Sequence, residues 1–334
     1  MAVVEGAAAL GGGGTRLRAI SLRRCTERWQ ACQAHMERNL PPGLDFAMAE
    51  GCDGSQHRNL LTVDAEPEGG VSEVAVQAAE AAMGCRIYRG WPVCETEDVL
   101  RILAAGGEED VAELSEVKAW ERYRAWFSDW PRERAMAYID FHCRHVTLGE
   151  IGAALSHWHL IQEACLDGVD WMVVFEDDAR PFPKALPRLQ EEIALLARHG
   201  FDWDLIYIRA SLYSKAPEAP LDEVPGSSLF WARHRKVTDA YCLSRRGLAR
   251  IAASGFSDSL IAFDEFLPAL HSEHPRRDVM RLPCVERARG GDKACKGGFV
   301  GLSFGALVLS EVARVGSETN LSPCVLGDHG AELC

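Results

Sequence analysis

Residues 171–183 read WMVVFEDDARPFP: five apolar residues, three consecutive acids and a proline-bounded turn. A short apolar run without polar alternation, such as WMVVF, predicts a strand buried on both faces of a sheet. Glu176, Asp177 and Asp178 then stand where that strand leaves the core. Carboxylates in such a place are opposed by desolvation and by one another, so a cation, a set of hydrogen-bond donors or solvent exposure must compensate.

The flanking segments place this strand in a repeating pattern. Upstream, GEIGAALSHWHLIQEACLDG (149–168) carries Ile151, Leu155, Trp158 and Ile161 at helical intervals and ends at Gly168, a left-handed cap. Downstream, Leu186, Leu189, Ile193 and Leu196 mark a helix closing at Gly200; DLIYI (204–208) and DAYCLS (239–244) read as buried strands, and RRGLARIAASG (245–255) as a helix. At the other end, RLRAISL (16–22) predicts a first strand and residues 23–39 a helix with Trp29, Cys32 and Met36 on its apolar face. DFAMAEGCDG (45–54) predicts a strand that ends in a turn at Asp53 and Gly54, and VAVQAAEAAMG (74–84) a helix. Alternation of this kind predicts an α/β fold with a mostly parallel sheet flanked by helices. Ligands bind outside the carboxyl ends of the strands in such sheets, where the three acids are.

Composition narrows the class without naming a function. The chain has 334 residues, 47% hydrophobic and 25% charged, as expected of a globular domain with its own core. A net charge of -13, from 36 basic and 49 acidic residues, argues against nucleic acid or an anionic membrane as the main partner. The 12 cysteines have no CxxC spacing, and no N-terminal segment combines a basic start, an apolar run and a cleavage site. Reduced thiols and a cytoplasmic location are the expectation, and no run approaches the roughly 20 apolar residues of a membrane span. The glycine-rich residues 1–14 read as a disordered tail and 326–334 as a second tail, around a single domain at 15–325. An insertion at about 95–140 carries Trp120, Tyr123, Phe127 and Trp130 at helical spacing, which packing onto a core explains. His142, Cys143 and His145 lack a second ligand pair, so packing and surface roles explain them better than zinc.

Three chemistries fit the acids at 176–178. They could form a solvated loop. They could be a hydrolase's paired carboxylates, although adjacent residues on a strand point to opposite faces. Or Glu176 and Asp178, on one side of an extended chain, could share Mg²⁺ or Mn²⁺.

GEIGAALSHWHLI followed by VVFEDDARPF (173–182) resembles the signature of glycosyltransferase family 25, which includes lipooligosaccharide and procollagen galactosyltransferases. The resemblance continues through AISLRRCTERW (19–29), GCDG (51–54), TDAYCLSRRGLARI (238–251) and SETN (317–320); FDWDLIYI (201–208) and FDEFLPALHSEHP (263–275) are similar to the procollagen branch. The segment 286–306 lacks the histidine expected near the donor, and the connection at 95–140 is longer than usual. The resemblance implies a GT-A type fold and inverting transfer of a hexose, galactose first, from a uridine-diphosphate sugar to an acceptor hydroxyl.

Carried residue by residue, it implies Asp178 as the direct Mn²⁺ ligand, with Mg²⁺ an alternative, Glu176 holding metal water or ribose, and Asp177 supporting their geometry. Asp264 is the expected base, with Glu265 second; capping of a helix that starts at Glu265 is the competing role for Asp264. Ser21 and Leu22 are expected at the nucleotide, Arg23 or Arg28 at phosphate or uracil, and Asp53 at ribose or uracil. Glu150, Ser156 and His157 are donor-side candidates, with a helix cap the alternative for Glu150 and a buried structural role for His157. Acceptors implied are hydroxylysine in a collagen-like protein or, second, a saccharide. A non-catalytic binding module and a nucleotide-sugar hydrolase are the rival functions.

Overall fold

The computed structural model describes residues 14–40, 44–60, 73–91, 146–179, 184–211, 224, 226–232, 236–272, 274, 276–290 and 306–309. The expected tails up to residue 13 and at 326–334, the insertion at 95–140, the histidine–cysteine cluster at 142–145 and SETN lie outside these residues. The described residues fall into two compact units. One is drawn from Met1–Glu50, His159–Ala252 and Gly298–Cys334, the other from Gly51–Trp158 and Ala253–Gly297.

The first unit holds a seven-stranded sheet. Its elements in chain order are β1 (Thr15–Ser21), α1 (Thr26–Asn39), β2 (Phe46–Glu50), the second half of α3 (Leu148–Leu166), β3 (Trp171–Glu176), α4 (Ala185–Arg198), β4 (Leu205–Ser211), β5 (Leu229–Trp231), β6 (Lys236–Ser244), α5 (Arg245–Ala252) and β7 (Ala306–Leu309). The strand order is β2-β1-β3-β6-β4-β7-β5. The β1–β2, β1–β3 and β4–β7 pairs are parallel, while β6 runs antiparallel to both β3 and β4, and β5 antiparallel to β7. Five strands therefore point one way and two, β5 and β6, the other, so the sheet is mixed with a mostly parallel direction.

Register explains why the strands read as continuous apolar runs. Leu17, Val173, Cys242 and Ile206 lie level across four neighbouring strands, and all are fully buried. They belong to a core completed by Cys32 and Met36 of α1 and by Leu186, Leu189, Ile193 and Leu196 of α4. Each such side chain contributes roughly 1.5–3 kcal/mol on burial. The alternate residues Met172, Val174, Tyr241, Leu243 and Tyr207 are buried as well, so neither face of the central strands meets water. Gly168 and Gly200, at φ +66° and +62°, follow α3 and α4 as their expected left-handed caps.

Asp204, in the FDWD stretch, is a structural anchor. Its carboxylate is fully buried and receives Arg246 at 2.7 and 3.1 Å and Arg250 at 3.1 Å, while its carbonyl accepts the Ser244 N–H at 3.0 Å. A Cβ at Gly247 would lie 2.2 Å from that same carbonyl, which is why α5 can start so close to β4 only with glycine there.

The second unit contains the 51–54 turn with a short 3₁₀ helix at Gly54–Leu60, α2 (Glu73–Met83), the first half of α3, α6 (Phe263–His271), α7 (Arg277–Met280) and α8 (Pro283–Ala288). Ile87 pairs with Leu260 as an isolated parallel bridge. Its centre is aromatic: Phe256 meets Phe266 at 4.4 Å, Phe263 at 5.6 Å and Trp158 at 5.8 Å between ring centroids. Among the described residues no helix is long and apolar enough to cross a membrane.

Candidate functional site

β3 ends at Glu176, and Asp177 and Asp178 form a turn closed by the Ala179 N–H on the Glu176 carbonyl at 2.9 Å. The expectation of an extended chain through Asp178 is corrected here: strand alternation stops at Glu176, and Asp177 and Asp178 lie in the turn that follows. Asp177 points inward, 5% exposed. Its Oδ2 accepts the Ser21 hydroxyl at 2.8 Å, and its Oδ1 accepts the Arg28 guanidinium. β1 and β3 are parallel neighbours with Ile20 level with Glu176, so Ser21 arrives beside Asp177 by register. Arg28 comes from the first turn of α1.

Asp178 turns outward, its side chain 64% exposed, with Arg28 at 3.5 Å. Partial enclosure and the neighbouring Glu176 charge push its carboxyl above the usual carboxylate range; Arg28 opposes the shift, and water screens all three effects. Glu176 is half-buried and accepts the hydroxyl of Thr238 on β6. Burial pushes the Tyr241 phenol well above its ordinary value, and the Glu176 charge adds to this, so the ring beside the acids stays neutral.

Among the described residues no three or more His, Cys, Asp or Glu are grouped to hold a metal ion. Glu176 and Asp178 offer two carboxylates. Mg²⁺ or Mn²⁺ bound by one or two carboxylates takes its remaining ligands from water and substrate phosphates. This donor set suits a cation shared with a diphosphate rather than one enclosed by protein.

The other nucleotide-side candidates of this unit have partners of their own. The Leu22 carbonyl accepts the Cys25 N–H at 2.8 Å, and Arg23 pairs with Glu50 at 2.9 Å on the surface. Arg28, held against Asp177 and Asp178, is thus the arginine the structure brings to the acids.

In the second unit, Asp53 accepts the Ser55 N–H at 3.1 Å and the Ser55 hydroxyl, a local turn that shapes GCDG. This turn rests on α3. Ser156 donates to the Gly152 carbonyl and accepts the Cys52 N–H, both at 2.7 Å. A Cβ at Gly152 would lie 2.4 Å from the Cys52 carbonyl, and one at Gly54 would lie 1.7 Å from that of Leu148. The glycines of GEIG and GCDG thus serve a close backbone approach. Glu150 accepts the Thr147 N–H at 2.8 Å while the Thr147 hydroxyl accepts the Glu150 N–H at 3.2 Å, a reciprocal capping box. Of the two roles open to Glu150, the geometry displays the cap.

Asp264 and Glu265 lie in the first turn of α6, which starts at Phe263 with Ala262 as N-cap and no side-chain cap. The competing role of Asp264 as cap is corrected: it is already the second residue of the helix, where its charge favours the helix dipole. Glu265, 4% exposed, is bonded to His274 at 2.6 Å, which leaves Asp264 the more accessible of the two acids. His157, 2% exposed, stacks on Phe263. Thr147, Thr238 and His274 were not singled out by sequence reasoning. All three lie within or beside quoted motifs; Thr147 and His274 find their partners, Glu150 and Glu265, close by in sequence, whereas the partner of Thr238, Glu176, comes from another strand.

A sequence model described as glycosyltransferase family 25 (LPS biosynthesis protein) matches residues 127–199, which include α3, the acids and the whole of α4. The matched segment is similar to glycosyltransferase family 25. Curated relatives agree. The chain is 36% identical over 135 residues, 40% of its length, to the "Probable inactive glycosyltransferase 25 family member 3" of Rattus norvegicus. It is 32% identical over 144 residues, 42% of its length, to "Procollagen galactosyltransferase 1" of Danio rerio, and 32% over 151 residues, 44% of its length, to "Procollagen galactosyltransferase 2" of Mus musculus. The chain spans about 23% of the length of each of these family 25 relatives.

Proposed function

We propose that this chain is an inverting glycosyltransferase of GT-A type that moves a hexose, galactose first, from a UDP-sugar to an acceptor hydroxyl. The observation that carries the reading is the inward clamp on Asp177 at the carboxyl end of β3, with the carboxylates of Glu176 and Asp178 on either side of it in the segment the family 25 model matches. A divalent cation held there, Mn²⁺ or Mg²⁺, would neutralise charge on the departing diphosphate. Arg28 supports the same end by lying beside Asp178. Asp264, in the first turn of α6, is the base that takes the acceptor proton. Ser21 and Asp177 set the floor of the donor site.

The acceptor we favour is hydroxylysine in a collagen-like protein, in line with the relatives named procollagen galactosyltransferases. A saccharide is second, in line with the family description as an LPS biosynthesis protein. A third reading, a non-catalytic module of the same fold, draws on the relatives named inactive. UDP release from UDP-galactose and UDP-glucose, with Mn²⁺, with and without collagen peptides or lactose-type sugars, separates them. Acceptor-stimulated release is expected. Acceptor-independent release identifies a hydrolase, and no release a binding module.

A further inference from the structure

Both sequence neighbours of Asp264 are held by an imidazole. Phe263 stacks on His157 with ring centroids 4.7 Å apart and planes inclined by 2°. Glu265 meets Nε2 of His274 at 2.6 Å, with both side chains at most 5% exposed. The other ring nitrogen fixes the tautomer: Nδ1 accepts the backbone N–H of Arg276 at 3.0 Å, so it carries no proton, and the proton on Nε2 is donated to Glu265. Arg276 is immobile in turn. It is fully buried, its guanidinium lies 4.3 Å from the Trp91 ring, and it donates to Asp278 and to the Gly90 carbonyl at 3.1 Å.

Phe263 and Glu265 project from the first turn of α6 on either side of Asp264 in sequence. Rotation of that turn would break the stack or the hydrogen bond. Burying a carboxylate against a neutral imidazole is a poor way to stabilise a helix, since an apolar residue in the same place would bury at no desolvation cost. We propose that Glu265 and His274 are a positioning pair: they fix the rotation of the first turn of α6 and with it the direction of the Asp264 carboxylate toward the acceptor hydroxyl. This rests on the reading of Asp264 as the base. Glu265 and His274 touch no reacting atom; they act through the helix.

Steady-state transfer by the full chain, with UDP-galactose, Mn²⁺ and a hydroxylysine-containing collagen peptide, tests the pair. Glu265→Leu and His274→Leu should lower kcat about 100-fold, the scale of a misplacement of about 1 Å, with KM for UDP-galactose within about twofold. Glu265→Gln keeps an acceptor for the Nε2 proton, and His274→Gln places an amide N–H near Nε2; both should recover most of the loss. Wild-type kcat in the leucine variants, or glutamine variants as slow as the leucine ones, overturns the pair. If the leucine variants do not fold, the imidazole ¹⁵N spectrum of the wild type decides: Nε2 protonated with Nδ1 bare supports the pair, and any other state overturns it. Asp264→Asn separates this inference from its foundation. Full transfer by that variant removes the base and the pair together, whereas an inert Asp264→Asn beside a fully active His274→Leu leaves the base standing and removes the pair. A wild type that releases no UDP overturns both.

Discussion

The hydroxyl of Ser21 donates to Oδ2 of Asp177 at 2.8 Å, joining the carboxyl ends of two parallel strands at a point where both side chains are buried. Arg28 binds the other oxygen, so the middle acid of the run is turned into a brace. Of the two outer acids, Asp178 is left mostly exposed and Glu176 half-buried against Thr238.

Removing the brace should cost stability. Asp177→Ala leaves a buried hydroxyl and a half-exposed guanidinium without their acceptor and is expected to destabilise the chain by about 2–3 kcal/mol, against about 1 kcal/mol for Ser21→Ala. Urea unfolding of the two variants and their combination should show coupling, because the serine's contribution depends on the aspartate.

Asp178→Asn should behave in the opposite way. The side chain is mostly exposed and repelled by Glu176, so stability should stay within about 0.5 kcal/mol of wild type. Transfer should fall by at least about 100-fold, the loss of a large electrostatic contribution. Chelation by EDTA should abolish transfer in the wild type and added Mn²⁺ restore it; an Asp178→Asn variant with normal turnover would remove the acid from the site.

Two glycines separate crowding from backbone conformation. Gly152→Ala pushes a methyl to 2.4 Å from the Cys52 carbonyl and should cost about 2–3 kcal/mol while disturbing the GCDG turn. Gly168→Ala meets nothing within 4 Å and should cost only the left-handed penalty, about 1 kcal/mol. Thermal melts of both variants check the order.

The capping box makes a distinct claim for Glu150. Thr147→Ala should cost about 1 kcal/mol. Glu150→Gln retains an acceptor for the Thr147 N–H and should leave both stability and KM for the UDP-sugar nearly unchanged. A large rise in that KM would place the side chain at the donor.

Stability should also fall in base. Burial pushes the thiols of Cys85 and Cys284 up to about 11 from 9.0, and burial with the Asp278 hydrogen bond pushes the Tyr88 hydroxyl up to about 12 from 10.0. The native state therefore holds these protons when the unfolded chain has begun to lose them, and stability declines as pH rises from about 9 to about 12. At the acid end burial acts to raise Asp278, but the Arg276 bonds and charge and the Tyr88 hydroxyl hold it below 3.8. Its contribution is present above 3.8 and lost as pH falls below. Urea midpoints across both ranges check the signs.

The strands around the acids were legible because each is buried on both faces: WMVVF, DLIYI and DAYCLS leave no polar alternation to misread. Helices α1, α3 and α4 were legible from Met36, Ile151 or Leu189 recurring at helical spacing. β7 was not read, although ALVL at 306–309 is a short apolar run; four residues carry too little periodicity to be distinguished from a buried turn. The reversed direction of β6 was equally hidden, since a strand buried on both faces reads the same in either direction.

The sequence by itself determined that three acids would end a buried strand of an α/β sheet, and that glycine-marked turns and helices would surround them. Only the tertiary structure decided that Asp177 turns inward while Glu176 and Asp178 do not, that Thr238 meets Glu176, and that Glu265 belongs to His274. Local periodicity reports that a face is buried, because burial depends on the chain's own pitch. The partner across that face depends on strand order, strand direction and register between segments distant in sequence, and those are settled by packing the whole core at once.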